Sequence, residues 1–422
     1  MKKQSVAIIG SGISGLASAY FLSDKLSVKI FEKNNYLGGH SNTVDVDYDV
    51  KKIAVDTGFI VFNHQTYPNL TPFFRLLNVA YQKSNMSFAV KVNNGELEYA
   101  GTNLGTVFSQ LKNAFNPHFL IMLRDILRFN KEAENILQRE FDASYTLKNL
   151  LDDLGVKNYF REYYLLPMSG AIWSCPLETM LSYPAQSFVR FFKNHGLLTV
   201  ANQPQWFTVT NGSREYVKKI AAKIGAENIS LNNAAIAVER FEDKVLVKSQ
   251  KGEEFFDYVF FATHGDQVLQ ILKNPHPQEK GVLQNFKYQS NLAVLHRDTS
   301  LMPNSKKAWA SWVYAKNKND SGSDIAVTYW MNNLQEIDHK YPLFVTLNPN
   351  QPISEDKIFA KFNYEHPIFD SNAVAAQSKI EEIQGLDRIY FCGAYQKYGF
   401  HEDGIASAIK ALNKMEIFAP WQ

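Results

Sequence analysis

Gly10, Gly12 and Gly15 stand in the run Gly10-Ser11-Gly12-Ile13-Ser14-Gly15, and Glu32 follows 22 residues after the first of them (32 − 10). These types at this spacing could hold a dinucleotide. Gly10 allows a tight turn, Gly12 lets backbone approach a pyrophosphate, and Gly15 lets a helix and a strand pack closely. Ile13 and Ser14 open that helix, whose unpaired N–H groups and positive dipole end face the phosphates. Glu32 can accept both hydroxyls of an adenosine ribose and would repel a 2′-phosphate. Lys33 beside it is counted with the nucleotide contacts. A glycine triplet alone is a weak signal that a ligand-free turn also explains.

The elements around it make the signal specific. Val6-Ala7-Ile8-Ile9 reads as a buried strand entering the glycine turn, Leu16 to Leu22 has helical spacing, and Val28-Lys29-Ile30-Phe31 is a second strand ending on Glu32. Strand, helix and carboxylate all fall where a nucleotide needs them. The 422 residues suggest two or three domains, one of them discontinuous. A net charge of +2 gives no global field for nucleic acid. With 30 Phe and 21 Tyr, large aromatic cores are expected, and an aromatic-lined apolar pocket is the second reading. Cys175 and Cys392 form no CxxC pair, so no metal site or disulfide framework is expected and a reducing compartment fits. No run approaches the roughly 20 apolar residues that span a bilayer. The expected location is cytoplasmic, or peripheral on the inner membrane face.

After Glu32 comes Lys33-Asn34-Asn35-Tyr36-Leu37-Gly38-Gly39-His40, and here the sequence resembles the superfamily of flavin-containing amine oxidases, protoporphyrinogen oxidases and phytoene desaturases. Its members follow the ribose-binding Glu with a paired glycine, usually ending Gly-Gly-Arg. His40 replaces that arginine; it can donate one hydrogen bond but is neutral at physiological pH. Asp56-Thr57-Gly58-Phe59 resembles the family's next strand and turn, which puts Thr57 and Gly58 beside the cofactor. The strands of 234–264, through Ala262, resemble the segment that returns to the nucleotide domain, with backbone near Ile236 meeting the adenine. Gly393-Ala394 and then Glu402-Asp403-Gly404-Ile405 resemble the C-terminal turn and helix placed at the O2 side of the isoalloxazine. There the helix dipole favours the anionic reduced flavin. The resemblance implies non-covalent FAD. It implies an α/β fold: a Rossmann-like FAD-binding domain from 1–62, 208–272 and 386–422, with an inserted α+β substrate domain from 63–207 and 273–385. No second glycine fingerprint follows a strand, so electrons are expected to leave to oxygen, a quinone or a protein, with direct NAD(P)H docking left open.

The first part of the inserted domain reads as helical, with apolar spacing over 71–77, 120–138 and 185–195; the second, 291–347, reads as antiparallel strands forming a pocket wall. Lys316 to Asp324 reads as a hairpin loop. Arg124 and Arg128 among the large apolar residues of 116–129 allow a buried helix or a membrane-surface element. Thr57-Gly58-Phe59, Ile172-Trp173-Ser174, His195-Gly196-Leu197-Leu198 and Tyr398-Gly399-Phe400-His401 resemble a narrower branch, the flavoprotein domain associated with cyclopropane fatty acid synthases. That implies desaturation or reduction of unsaturated or methyl- or methylene-branched acyl chains, in phospholipid, and a lipid methyltransferase as partner. Tyr398 and His401 are candidate proton-handling groups, and Tyr395 with Tyr398 could flank the ring as the amine oxidase aromatic pair does; each could equally pack the loop. His64 and Trp173 are weaker candidates. Cys392 reads as a small buried residue. Amine or porphyrinogen-type oxidation on the same scaffold and a non-catalytic lipid-binding protein are the alternatives; retention of Gly10, Gly12, Gly15, Glu32, Gly38 and Gly39 speaks against the last.

Overall fold

The computed structural model describes residues 3–139, 144–173, 180–198, 203–317 and 326–422; Ser174, Cys175 and most of the Lys316–Asp324 loop lie outside them. Six helices position the site: α1 (Ile13–Leu22), α2 (Leu70–Leu76), α3 (Pro117–Leu137), α4 (Ala185–Asn194), α5 (Arg214–Ile224) and α6 (His401–Asn413).

A five-stranded parallel sheet has the order 229–230, 27–31, 5–9, 258–261, 389–391. Its strands come from three separated stretches of chain. Because side chains alternate along a strand, Val6 and Ile8 enter one core and Ala7 and Ile9 the other. The first core is roofed by α1, α5 and α6 through Leu16, Ala17, Ile220, Ile405 and Ala408. An antiparallel sheet (235–240, 245–249, 252–256) and the helix Gly265–Ile271 cover the other face. An apolar run buried on both faces is what a central parallel strand requires.

The second large sheet has seven strands in the order 358–368, 287–296, 344–347, 326–330, 312–316, 88–92, 97–100. All neighbours pair antiparallel except 312–316 with 88–92. Its inner face joins α3 and α4 in the largest core, where Phe119, Met122, Phe129, Phe188 and Phe191 meet Tyr314, Tyr329 and Val345.

Two expectations are corrected. The stretch 63–207 is not simply helical: strands 81–84, 88–92 and 97–100 lie within it. In the last two the alternation is masked by charges at interior positions. Lys91 is buried and donates to the carbonyls of Ser300 and Met302, both at 2.9 Å. Glu98 is buried and accepts from the backbone of Asn304 (2.7 Å) and Ser305 (3.0 Å). The run Met331–Leu334 is a helical turn, so the expected strand ends at Trp330. In addition, Trp206–Val209 pairs with both Phe62–Asn63 and Tyr81–Ser84. The junction between the two layers is therefore itself a small sheet.

Candidate functional site

The strand Ser5–Ile9 ends in Gly10, at φ +99°, where a Cβ would lie 2.7 Å from the Ala262 carbonyl oxygen. A Cβ on Gly15 would fall 2.0 Å from the Gly10 oxygen. Only glycine permits this crossing of turn, helix and strand. Gly12 has another role. It is the N-cap of α1, no side chain caps that end, and a Cβ there would meet nothing within 4 Å. The first N–H groups of α1 thus face open space. Glu32, 5 % exposed, is fixed beside this turn. Oε2 accepts from Ser11 N (3.0 Å) and Ser11 Oγ (2.6 Å), and Oε1 accepts from Asn34 N (2.9 Å). Oε2 is filled by its two donors, and Oε1, with one, keeps a lone-pair direction for a ribose hydroxyl. Lys33 is exposed next to it.

The glycine pair closes over the helix end. Gly38 N donates to Ser11 O at 3.0 Å, and a Cβ on Gly39 would sit 3.2 Å from Gly12 Cα. His40 follows; its carbonyl accepts from Phe59 N (2.7 Å) and leaves no room for a side chain at Gly58. Its ring stacks on Tyr364 (centroids 4.9 Å) and lies 5.4 Å from His366, and its Nε2 is buried without a hydrogen-bond partner. Since buried polar atoms are normally paired, an unpaired imidazole nitrogen beside the open end of α1 fits a missing anionic ligand. His264 stacks on Tyr288 (4.3 Å), with Nδ1 3.2 Å from Glu365. Asn291 Nδ2 lies 3.1 Å from His366 Nδ1. Burial, with His264 nearby, pushes His40 down to about 4; burial, Lys33 and His366 hold His264 at about 4; burial and His40 hold His366 at about 3. All three are neutral at pH 7.

α6 meets α1 end to end. Ser14 Oγ donates to Gly404 O (2.9 Å), and a Cβ on Gly404 would lie 2.7 Å from Ile13 Cγ2. Two positive helix ends therefore converge on one place. The carboxyls of the first turn of α6 point to protein donors: Glu402 accepts from Asn69 N, Asn69 Nδ2 and Leu70 N, and Asp403 from Tyr398 N and Phe400 N. Burial raises Glu402 to about 7 and Asp403 to about 6. Only their backbone is left to face a ligand. Ile405 is in the core, Gly393 N donates to Ser407 Oγ (2.8 Å), and Ala394 approaches Gly404. Thr57 Oγ1 lies 2.7 Å from Tyr364 OH and 3.1 Å from Asn42 O. Ile236 is the bulged residue between Ala235 and Ala237, so its backbone is unpaired in the ladder, and its side chain is exposed.

The candidate proton-handling residues are not a cluster. His401 Nε2 lies 2.8 Å from Ser41 Oγ and 3.3 Å from Tyr216 OH, its ring stacks on Phe59 at 3.7 Å, and burial pushes it well below its ordinary value. Tyr398, half-buried, meets Phe191 edge-on at 5.3 Å and packs against the largest core. Tyr395 is 1 % exposed in the core behind the parallel sheet, against Phe286 at 4.6 Å. An aromatic pair of Tyr395 and Tyr398 flanking one ring is thus corrected: the two side chains meet different cores. His64 packs on Phe207 (4.4 Å) and Trp173 on Phe191 (4.5 Å), both as domain packing. Tyr364, His366 and His264 were missed by sequence reasoning; nothing local marks them, since only the fold brings them to His40.

Beside the N-terminus of α6, Phe191 stacks with His195 (3.9 Å) and Phe400 (5.2 Å). Elsewhere a polar cleft of about 720 Å³ opens between Ser84–Met86, Trp206 and Asn332–His339, with Glu336 and Asp338 on its wall. The expected aromatic sheet wall does not line it.

The sequence profile of the flavin containing amine oxidoreductases matches residues 13–306. The beta-cyclopiazonate dehydrogenase of Aspergillus oryzae is 25 % identical over 313 residues, covering 70 % of this chain; the chain spans 63 % of that protein's length. The CLA-producing fatty acid isomerase from P. acnes superposes with a TM-score of 0.68 at 12 % identity, over 99 % of this chain and 100 % of its own. Cyclohexylamine oxidase from Brevibacterium oxydans IH-35A does so with a TM-score of 0.68 at 14 % identity, over 98 % and 100 %. At these identities the two structures speak for the fold alone.

Proposed function

The chain belongs to the family of flavin-containing amine oxidoreductases, and from that premise we propose that it is an FAD-dependent oxidoreductase acting on unsaturated or methyl- or methylene-branched acyl chains of phospholipid. The residues present fit FAD. Glu32 Oε1 would take a ribose hydroxyl, the free N–H groups of α1 and His40 Nε2 the pyrophosphate, and the N-terminus of α6 the polar edge of the isoalloxazine. No covalent link is needed: Cys392 is buried, its Sγ is 3.6 Å from Phe261 O, and burial pushes its thiol up to about 12. When bound, FAD supplies a hydride acceptor and donor at N5.

The observation that carries the substrate reading is the apolar stack beside α6. Phe59 stacks on His401, and Phe400 beside it stacks on Phe191, which Tyr398 meets edge-on, while Glu402 and Asp403 are occupied by protein donors. A protonated amine would need open ring faces or a free carboxylate there; these rings stack on one another and on His195 and His401, and an acyl chain needs neither. Desaturation removes a hydride and a proton from neighbouring carbons. His401 is the group this chain offers for the proton: Ser41 Oγ and Tyr216 OH hold the imidazole at Nε2, and Nδ1 would accept the proton. A neutral imidazole can accept at one nitrogen while its neighbours stay fixed. The same arrangement run backwards serves reduction. A methyl-branched chain would be supplied by a lipid methyl transfer.

The polar cleft with Glu336 and Asp338 supports a second reading, oxidation of a polar or cationic substrate. The two are separated by products. Incubation with phospholipids bearing methyl-branched or unsaturated chains is expected to change the acyl mass by two hydrogens, read by mass spectrometry. Unchanged lipids together with hydrogen peroxide release from simple amines would replace the acyl reading by the amine one.

A further inference from the structure

Among the described residues, five exposed large apolar side chains fall in one stretch of chain. Leu104, Leu111, Phe115, Leu120 and Leu127 are all exposed, Phe115 to 86 %. The stretch runs from the short helix Leu104–Val107 through the 3₁₀ turn Leu111–Phe115 into α3. On α3 the exposed positions Leu120, Arg124, Leu127 and Lys131 recur at steps of four, three and four residues, so they share one face, with Arg128 beside them. Phe119, Met122, Phe129 and Ala133 lie buried on the opposite side.

The charges on this surface have one sign. Lys112, Arg124, Arg128 and Lys131 are exposed. The one carboxylate between residues 101 and 131 is Asp125, whose side chain is fully buried, accepting from Lys157 N at 3.1 Å and pairing with Arg124. Apolar side chains rimmed by cations match a surface that is apolar inside and anionic outside. A second copy of the chain docking through the same patch would bring these cations against each other. No described helix is long and apolar enough to cross a membrane.

We propose that the outer face of α3 and the turn before it seat the protein on an anionic lipid bilayer, with Leu111, Phe115, Leu120 and Leu127 in the acyl boundary and Lys112, Arg128 and Lys131 among the headgroups. The inner face of α3 packs on α4, and Phe191 of α4 touches Tyr398 and Phe400. The bilayer then lies one helix away from the aromatic stack at α6. The inference rests on the surface alone and stands whatever the substrate is.

The test is sedimentation of the flavin-loaded protein with vesicles of phosphatidylcholine, or of phosphatidylcholine mixed with phosphatidylglycerol, at low and high salt. Binding to the mixed vesicles is expected, weakened by salt and much weaker on phosphatidylcholine alone. Phe115→Asp with Leu127→Asp, and separately Lys112→Glu with Arg128→Glu, should each weaken binding roughly tenfold or more. All four side chains are exposed, so an unchanged circular dichroism spectrum and flavin content confirm that the fold is kept. Soluble wild-type protein in the presence of anionic vesicles would overturn the proposal, as would variants that still sediment like wild type. So would a wild-type dimer that the apolar variants convert to monomer without any loss of vesicle binding.

Discussion

At the scale of single residues, the site is governed by which polar atoms are left without a protein partner. Glu32 has its donors, but they hold the carboxylate in place rather than exhausting it. Replacing it by Ala removes the ribose acceptor and strands Ser11 N and Asn34 N. The expected outcome for Glu32→Ala is an FAD affinity about 10–100-fold weaker, on the scale of one or two charged hydrogen bonds, read by quenching of flavin fluorescence. His40 gives a signed pH effect. Its apo value is about 4, and a pyrophosphate beside Nε2 would raise it. Binding then takes up a proton, so FAD should bind more tightly as pH falls from 8 towards 5.5, and the slope should flatten in His40→Gln. Equal slopes in wild type and variant would remove His40 from the phosphate site. The chemistry at Gly10, Gly12, Gly15 and Glu32 was legible in the sequence because turn, helix and strand end are local. His264, Tyr364 and His366 were not, because they reach His40 only through strand pairing hundreds of residues away.

At the scale of elements, the crossing of turn, strand and helix at the head of α1 explains why two glycines of one motif answer differently to the same substitution. Gly15→Ala drives a methyl into the Gly10 carbonyl and should lower both apoprotein stability, by about 1–3 kcal/mol, and FAD binding. Gly12→Ala meets no atom of the protein. It should leave apoprotein stability within about 1 kcal/mol, the scale of an N-cap change, while its methyl occupies the approach to the helix end and FAD affinity drops. Thermal melts of the apoproteins beside flavin titrations separate the two. An equal loss of stability in both variants would mean that the open space over α1 is structural only. Gly404→Ala, pressed against Ile13, should behave like Gly15→Ala. The elements of this layer were readable because short apolar strands flank a glycine turn and a helix in immediate succession. The strands 88–92 and 97–100 were hidden because Lys91 and Glu98 sit inside, satisfied by backbone from distant loops that no local pattern announces.

At the scale of the whole molecule, the parallel sheet joins chain segments from both ends and the middle, and the strand 389–391 with α6 closes it. Truncation before Ile389 should therefore abolish FAD binding and cooperative unfolding together, rather than leave a folded nucleotide domain; denaturant curves of the truncated chain check this. Bound FAD should stabilise the intact protein by about 2.7 kcal/mol at a hundred times its dissociation constant. His40, beside the helix ends, meets Tyr364 and His366 from the seven-stranded sheet, so the site draws on both layers, which also join at the small sheet of Trp206–Val209. The most direct test of the central claim is the visible spectrum of the FAD-loaded protein, recorded without oxygen before and after phospholipid with unsaturated or methyl-branched chains, and again after acid precipitation. A flavin spectrum that lipid bleaches, and that passes wholly into the acid supernatant, is the expected result. A protein that stays colourless after incubation with FAD would contradict the account at its root.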